Sequence, residues 1–148
     1  MARRYKKQGP VRSKKVVIDN IEFKSGLEAY MYTALKEAGI KAKYEGVSYE
    51  LIPSFDFKNK SYEKQANGKG EYKDRGGTRI RKVTYTPDFT GAGFIIECKG
   101  RPNESFPIRW KLFKKYVSER LRGVTLYKPQ NQKQCDETVN LILGKRKT

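Results

Sequence analysis

Apolar positions along the chain follow two periods, and the switches between them outline a fold. Leu27, Tyr30, Met31, Ala34, Leu35 and Ala38 recur at helical spacing and predict one buried helix face. Ser25 ahead of them is a good N-cap, Glu28 three residues later completes a capping box, and Gly39 ends the run. Before this helix, residues 16–23 read as a short hairpin around Asp19-Asn20. After it, residues 40–52 alternate loosely through Tyr44, Val47, Tyr49 and Leu51 and predict one or two strands, interrupted by Pro53. Residues 83–89 and 94–99 predict paired strands joined by a turn over Thr90-Gly-Ala-Gly93. Residues 108–122 predict a second amphipathic helix with Ile108, Leu112, Tyr116 and Leu121 on one side. Residues 124–127 predict a strand closed by Pro129, and a last short helix around Val139, Ile142 and Leu143 is expected to end at Gly144. The sum is an α/β fold: a central mixed sheet of four or five strands, flanked by the helices near 26–38 and 108–122.

Two segments lack either period. Residues 1–15 form a basic arm carrying Arg3, Arg4, Lys6, Lys7, Arg12, Lys14 and Lys15, broken at Gly9-Pro10. Residues 58–82 are polar, Gly-rich and basic, and predict a long loop or an extended hairpin tip with little core to offer. The remaining residues of 16–148 suit one domain with one core.

Charge then narrows the partner. The chain of 148 residues carries +17 at pH 7, a field that favours DNA, RNA or another polyanion. No apolar run approaches membrane-spanning length and no signal peptide pattern opens the sequence, so a membrane is not expected. Cys98 and Cys135 form no CxxC or zinc spacing, which predicts a reduced, intracellular setting. With no histidine at all, His-metal nucleases, Ser-His-Asp hydrolases and two-histidine ribonucleases are excluded. Any catalysis must rest on carboxylates, lysine and a hard metal ion.

One constellation has that content. In Phe94-Ile-Ile-Glu-Cys-Lys-Gly100, strand alternation puts Glu97 and Lys99 on one face and Phe94, Ile96 and Cys98 on the other. A hairpin would bring Asp88, after Pro87, close to Glu97. Two carboxylates without histidine suit Mg²⁺, which takes oxygen ligands, keeps waters and shares phosphate oxygens. Lys99 would then act on the attacking water or on the charge of the transition state. Glu-x-Lys recurs at Glu22-Phe-Lys24 and Glu71-Tyr-Lys73, with a cousin at Asp56-Phe-Lys58, but none of these follows a Pro-Asp strand. Taken alone, Glu97 and Lys99 read as a surface ion pair, and Glu28 reads as a helix cap.

Together these residues carry a resemblance. Tyr85-Thr-Pro-Asp-Phe89, then Ile95-Ile-Glu-Cys-Lys-Gly100, resembles the PD-(D/E)XK nuclease superfamily. Phe23-Lys-Ser-Gly-Leu-Glu28 ahead of a helix resembles the phage endonuclease I family, which resolves Holliday junctions. The similarity runs from about Phe23 to Lys115. It implies a restriction-endonuclease-like sheet and metal-dependent hydrolysis of DNA phosphodiester bonds, structure-selective for branched DNA. It implies Mg²⁺, with Mn²⁺ able to substitute, on Asp88 and Glu97 with Glu28 as a third acidic metal-site residue, and Lys99 as the catalytic lysine. A homodimer and, for a phage protein, the host cytoplasm are implied with it. In the resembled family the segment leading to the Pro-Asp strand bridges two intertwined subunits; here that segment carries the 58–82 insert.

Ser25, Arg109, Lys111, Lys114 and Lys115 are the expected nucleic-acid contacts, with Arg109 and Lys111 nearest the scissile phosphate and the rest sharing a basic solvated face. Trp110 could stack on a splayed base, but core packing is the favoured reading. No helix-turn-helix or zinc module supplies base readout, so recognition of backbone or shape is expected. Two other readings stay open: another PD-(D/E)XK enzyme of restriction or repair type, and a non-catalytic nucleic-acid-binding protein. The latter explains the charge but not the three motifs in order.

Overall fold

A computed structural model describes residues 14–101 and 103–146. Residues 1–13 of the basic arm lie outside the described residues. Strands β1 (Val16–Ile18) and β2 (Ile21–Phe23) form an antiparallel hairpin. Asp19 and Asn20 between them both adopt positive φ, 52° and 64°, the left-handed pair that a tight two-residue connection needs. Helix α1 (Gly26–Glu37) follows, with the Ser25 hydroxyl accepting the Glu28 N–H at 3.2 Å. It stops at Gly39, whose φ of 69° is the left-handed exit that glycine allows.

Next come β3 (Ala42–Tyr44), β4 (Tyr49–Ile52), β5 (Phe55–Phe57), β6 (Tyr62–Glu63), β7 (Lys73–Asp74), β8 (Thr78–Ile80) and β9 (Val83–Tyr85). Three antiparallel ladders nest here, β4 with β9, β5 with β8 and β6 with β7. The polar insert is therefore the outer part of one long hairpin, solvated nearly throughout. The chain closes with β10 (Phe89–Gly91), β11 (Phe94–Ile96), α2 (Phe106–Arg120), β12 (Thr125–Tyr127) and α3 (Gln132–Arg146).

The main sheet has four strands in the order β12-β11-β10-β3, with β11 and β12 parallel and the other pairs antiparallel. It is the expected mixed sheet, covered on both faces. Phe94 and Ile96 of β11 pack with Met31 and Leu35 of α1 and Val139 and Ile142 of α3. Ile95, pointing the other way, packs with Trp110, Phe113 and Val117 of α2. A central strand covered twice has no polar face, hence three successive apolar residues.

Three expectations need correction. Residues 83–89 are not one strand: β9 belongs to the long hairpin and β10 to the main sheet, split by Thr86-Pro-Asp88. Buried Pro87 has no N–H to give to a ladder, so pairing breaks there. Helix α2 starts two residues earlier than expected, because the Asn103 side chain accepts the Phe106 N–H at 2.9 Å. Its buried arc is Phe106, Trp110, Phe113 and Val117, leaving Ile108 67% exposed. At roughly 25 cal/mol per Å², an aromatic burying about 150–250 Å² gains about 4–6 kcal/mol, against roughly 1.5–3 kcal/mol for an isoleucine side chain, so the three-aromatic arc wins. Finally, α3 runs through Gly144. A glycine inside a helix costs only about 1 kcal/mol, less than burying Val139 and Ile142 returns.

Candidate active site

The break at Pro87 places Asp88 at the mouth of β10, where its carbonyl accepts the Glu45 N–H at 2.8 Å. Glu45 reaches that position by a left-handed bend, φ 48°, at the end of β3. Beyond β11 the chain stays extended: the N–H groups of Glu97 and Lys99 donate to the carbonyls of Tyr127 and Pro129 at 2.9 and 3.0 Å. Alternation therefore continues, and Glu97 and Lys99 emerge together as expected. The two strands lock each other. The Asp88 carboxylate accepts the Cys98 N–H at 2.8 Å, and the Glu97 carboxylate accepts the Asp88 N–H at 3.3 Å.

Glu28, Asp88, Glu97 and Lys99 line one cavity of about 380 Å³, joined by Lys24, Tyr85 and Arg109. Asp88 and Lys99 thus face the same cavity. The Glu28 carboxylate accepts the Lys24 N–H at 3.0 Å and the Tyr44 hydroxyl at 2.9 Å while the helix start holds its main chain. It caps α1 and faces the site at once.

All three carboxylates are buried, with 6–7% of their surface exposed. None makes an ion pair among the described residues. Burial pushes the Asp88 carboxyl well above the usual range, and the neighbouring Glu97 and Glu28 push it further. Burial also raises Glu97, against the Tyr85 hydroxyl and the Lys99 charge, which lower it. Lys99 makes no contact with an acid; its ammonium lies 4.8 Å from the centre of the Phe106 ring. Three buried acids without a cation carry a cost that a bound divalent cation would remove. Among the described residues no three Asp, Glu or Cys side chains close into a ready metal cage. Mg²⁺ needs none: it takes one or two carboxylates and completes its shell with water and substrate oxygens. Asp88 and Glu97 fit that demand.

A pH dependence follows. A carboxyl raised in the folded state contributes stability that is full below its unfolded value and is lost as pH rises through the folded one. For Asp88 and Glu97 the window opens at 3.8 and 4.5 and extends upward. In chelator, Asp88→Asn should gain melting temperature over the parent as pH climbs through this window. Differential scanning fluorimetry reads the two slopes; parallel curves would contradict the shared burial.

The other predicted residues divide. Arg109 lines the site cavity. Ser25 lines an adjoining cavity of about 750 Å³ with Lys14 and Arg101, which shares Lys24, Glu28, Cys98 and Lys99 with the first. Lys111 and Lys114 are exposed on α2 and line neither. Residues two apart on a helix point about 200° away from each other, so Arg109 and Lys111 cannot both face the site. Lys115 pairs with Glu119 at 2.5 Å, outside both cavities. Trp110 is core, as expected. The look-alike motifs are surface features: Glu22 pairs with Lys15 at 3.1 Å, Asp56 with Arg79 at 3.1 Å, and Glu71 is exposed.

Sequence reasoning missed three residues. Tyr44 holds Glu28, and Lys24 stands at the rim in an ion pair with Glu45 at 2.9 Å. Tyr85 is the third. Its buried hydroxyl has no hydrogen-bond partner of normal geometry, yet lies near enough to Glu97 to influence its charge. As a strand aromatic it gave no signal beyond core packing. Cys98 also borders the site, but contact with the Cys135 thiol and burial push its own thiol up, so it stays neutral.

A family profile matches residues 6–128. The chain belongs to DUF1064, a family described as proteins of unknown function. The DUF1064 match spans every residue of the cavity and ends before α3. No curated protein and no solved structure matches this DUF1064 chain. No helix among its described residues is long and apolar enough to cross a membrane.

Proposed function

We propose that this DUF1064 protein is a metal-dependent endonuclease of the PD-(D/E)XK kind that hydrolyses DNA phosphodiester bonds, with preference for branched DNA. The observation that carries it is the cavity itself: three buried carboxylates that make no ion pair among the described residues, lined together with Lys99, in a chain of net charge +17. Asp88 and Glu97 would hold Mg²⁺, for which Mn²⁺ can substitute, and Glu28 supports them from the helix start. When bound, the ion supplies Lewis-acid polarisation of the phosphate and a more acidic water. Lys99 orients that water or offsets the charge that builds on the phosphate oxygens. Arg109 and Lys24 hold the flanking phosphates at the rim. Water oxygen bonds to phosphorus, the ester oxygen departs, and a proton ends on that leaving oxygen. All four central side chains come from one protomer, so a homodimer would pair two complete sites and thereby suit a branched substrate.

The test is nicking of supercoiled plasmid by the purified full chain in Mg²⁺ and in chelator, beside a four-way junction and a linear duplex of matched sequence. Metal-dependent nicking, faster on the junction, is the expected result. A chain that binds DNA but never cleaves it would leave a nucleic-acid-binding protein instead.

Glu28→Gln separates cap from site. Glutamine can still accept from the Lys24 N–H and the Tyr44 hydroxyl, so melting temperature should hold. Cleavage should fall by on the order of 10-fold or more, as for lost support of a metal ligand. Parent-like cleavage would reduce Glu28 to a helix cap.

A further inference from the structure

The long hairpin ends in a surface that the active site does not use. At its tip Tyr62 and Tyr72 are 57% and 71% exposed, and their rings lie 6.3 Å apart with a 40° tilt. Residues 58–82 carry nine Lys and Arg against three Asp and Glu. On the same tip, flanking the two rings in sequence, Lys60, Lys64, Lys69 and Lys73 are exposed and form no ion pair among the described residues.

This tip has almost no core, yet it is stitched. The Arg75 guanidinium donates to the carbonyls of Glu63 and Glu71 at 3.0 and 3.1 Å, tying the two arms together. The Asp74 carboxylate accepts the N–H groups of Ser61 and Gly76 at 3.0 and 2.9 Å. Gly76 allows that approach: a Cβ there would sit 1.9 Å from the Asn59 carbonyl oxygen. A turn closes the end, with the Gln65 N–H donating to the Lys69 carbonyl at 3.0 Å. Polar bonds thus order the backbone that presents two exposed aromatic rings, where a slack loop would pay ordering entropy on binding.

We infer that the Tyr62–Tyr72 pair is a stacking platform for unpaired nucleobases, with the surrounding lysines on the flanking phosphates. Tyrosine rings stack on the flat face of a base, and every base has one. Paired bases hide that face inside the duplex; single strands, branch points and frayed ends expose it. The lysines match the negative backbone on either side. The platform would bias the protein toward DNA with unpaired bases. It rests on the nucleic-acid part of the proposed function and deepens its substrate class.

The experiment measures binding of the full chain, in chelator so that nothing is cut, to a mixed-sequence single strand and to a blunt duplex of equal length. The variants are Tyr62→Ala/Tyr72→Ala and Tyr62→Phe/Tyr72→Phe. The alanine pair should weaken single-strand binding by about 10-fold or more and leave duplex binding unchanged. The phenylalanine pair should restore it, since stacking needs the ring and not the hydroxyl. Equal losses on both substrates, or no loss, would overturn the platform. So would a change in sedimentation mass with DNA binding intact, which would mark the pair as a contact between copies of the chain. Plasmid nicking by the parent in Mg²⁺ stands apart: its absence would end the nuclease reading without touching this result.

Discussion

Asp88→Asn is expected to abolish cleavage, by on the order of 10³-fold or more, while making the metal-free protein more stable. The amide keeps the shape and can still accept the Cys98 N–H that the carboxylate accepts at 2.8 Å. It replaces one of three buried carboxyl groups that have no ion-pair partner among the described residues. Burial and the neighbouring acids work against Asp88 as an anion, so neutralising it relieves the fold and removes the ligand together. A thermal shift reads the ligand directly. Mg²⁺ at a hundred times its Kd adds about 2.7 kcal/mol, or roughly 5–10 °C for a domain of this size. The parent should show that rise and Asp88→Asn should not, while DNA binding persists with one less repulsive charge near the phosphate. A variant that loses cleavage and keeps the full rise would move the metal away from Asp88.

Lys99→Ala is expected to fail differently. Its ammonium rests against the Phe106 ring and makes no ion pair, so its removal keeps the hydrogen bonds that lock Asp88 and Glu97, while Glu97 loses the nearby positive charge that lowers its carboxyl. The Mg²⁺-induced thermal rise should survive. The single-turnover rate at saturating metal should fall by about 10²–10³-fold, the usual loss when one electrostatic partner of a transition state is removed. Lys99→Arg keeps the charge on a different geometry and should recover part of that rate. An unchanged rate in Lys99→Ala would make the lysine a surface charge. A lost thermal rise would make it part of the metal support.

The contrast between the two variants depends on how the site is assembled, and some of that was legible along the chain. Ser25, Glu28 and Gly39 bracket α1 through contacts within four residues, so local rules found the helix and both its ends. Asp19-Asn20 marked its hairpin for the same reason, since after glycine the short polar residues Asn and Asp best tolerate left-handed angles. Alternation in 94–99 placed Glu97 and Lys99 on one side, because the strand geometry continues through main-chain bonds to Tyr127 and Pro129. Low apolar content revealed the insert as a polar projection without a core.

Tertiary structure decided the rest. Pro87 was visible in the sequence, but only the competition between two sheets for residues 83–89 turned it into a break that presents Asp88. The buried arc of α2 was set by which side chains the β11 face could receive, so three aromatics displaced the arc containing Ile108. That same rotation brought Arg109 to the cavity and left Lys111, Lys114 and Lys115 outside it. Tyr44, Lys24 and Tyr85 joined the site from separate segments, a juxtaposition that no local pattern encodes. Residue types and caps, fixed by short-range chemistry, could be read from the chain alone. Which face each element buries, and therefore which charges share one cavity, is set by long-range packing between segments far apart in sequence.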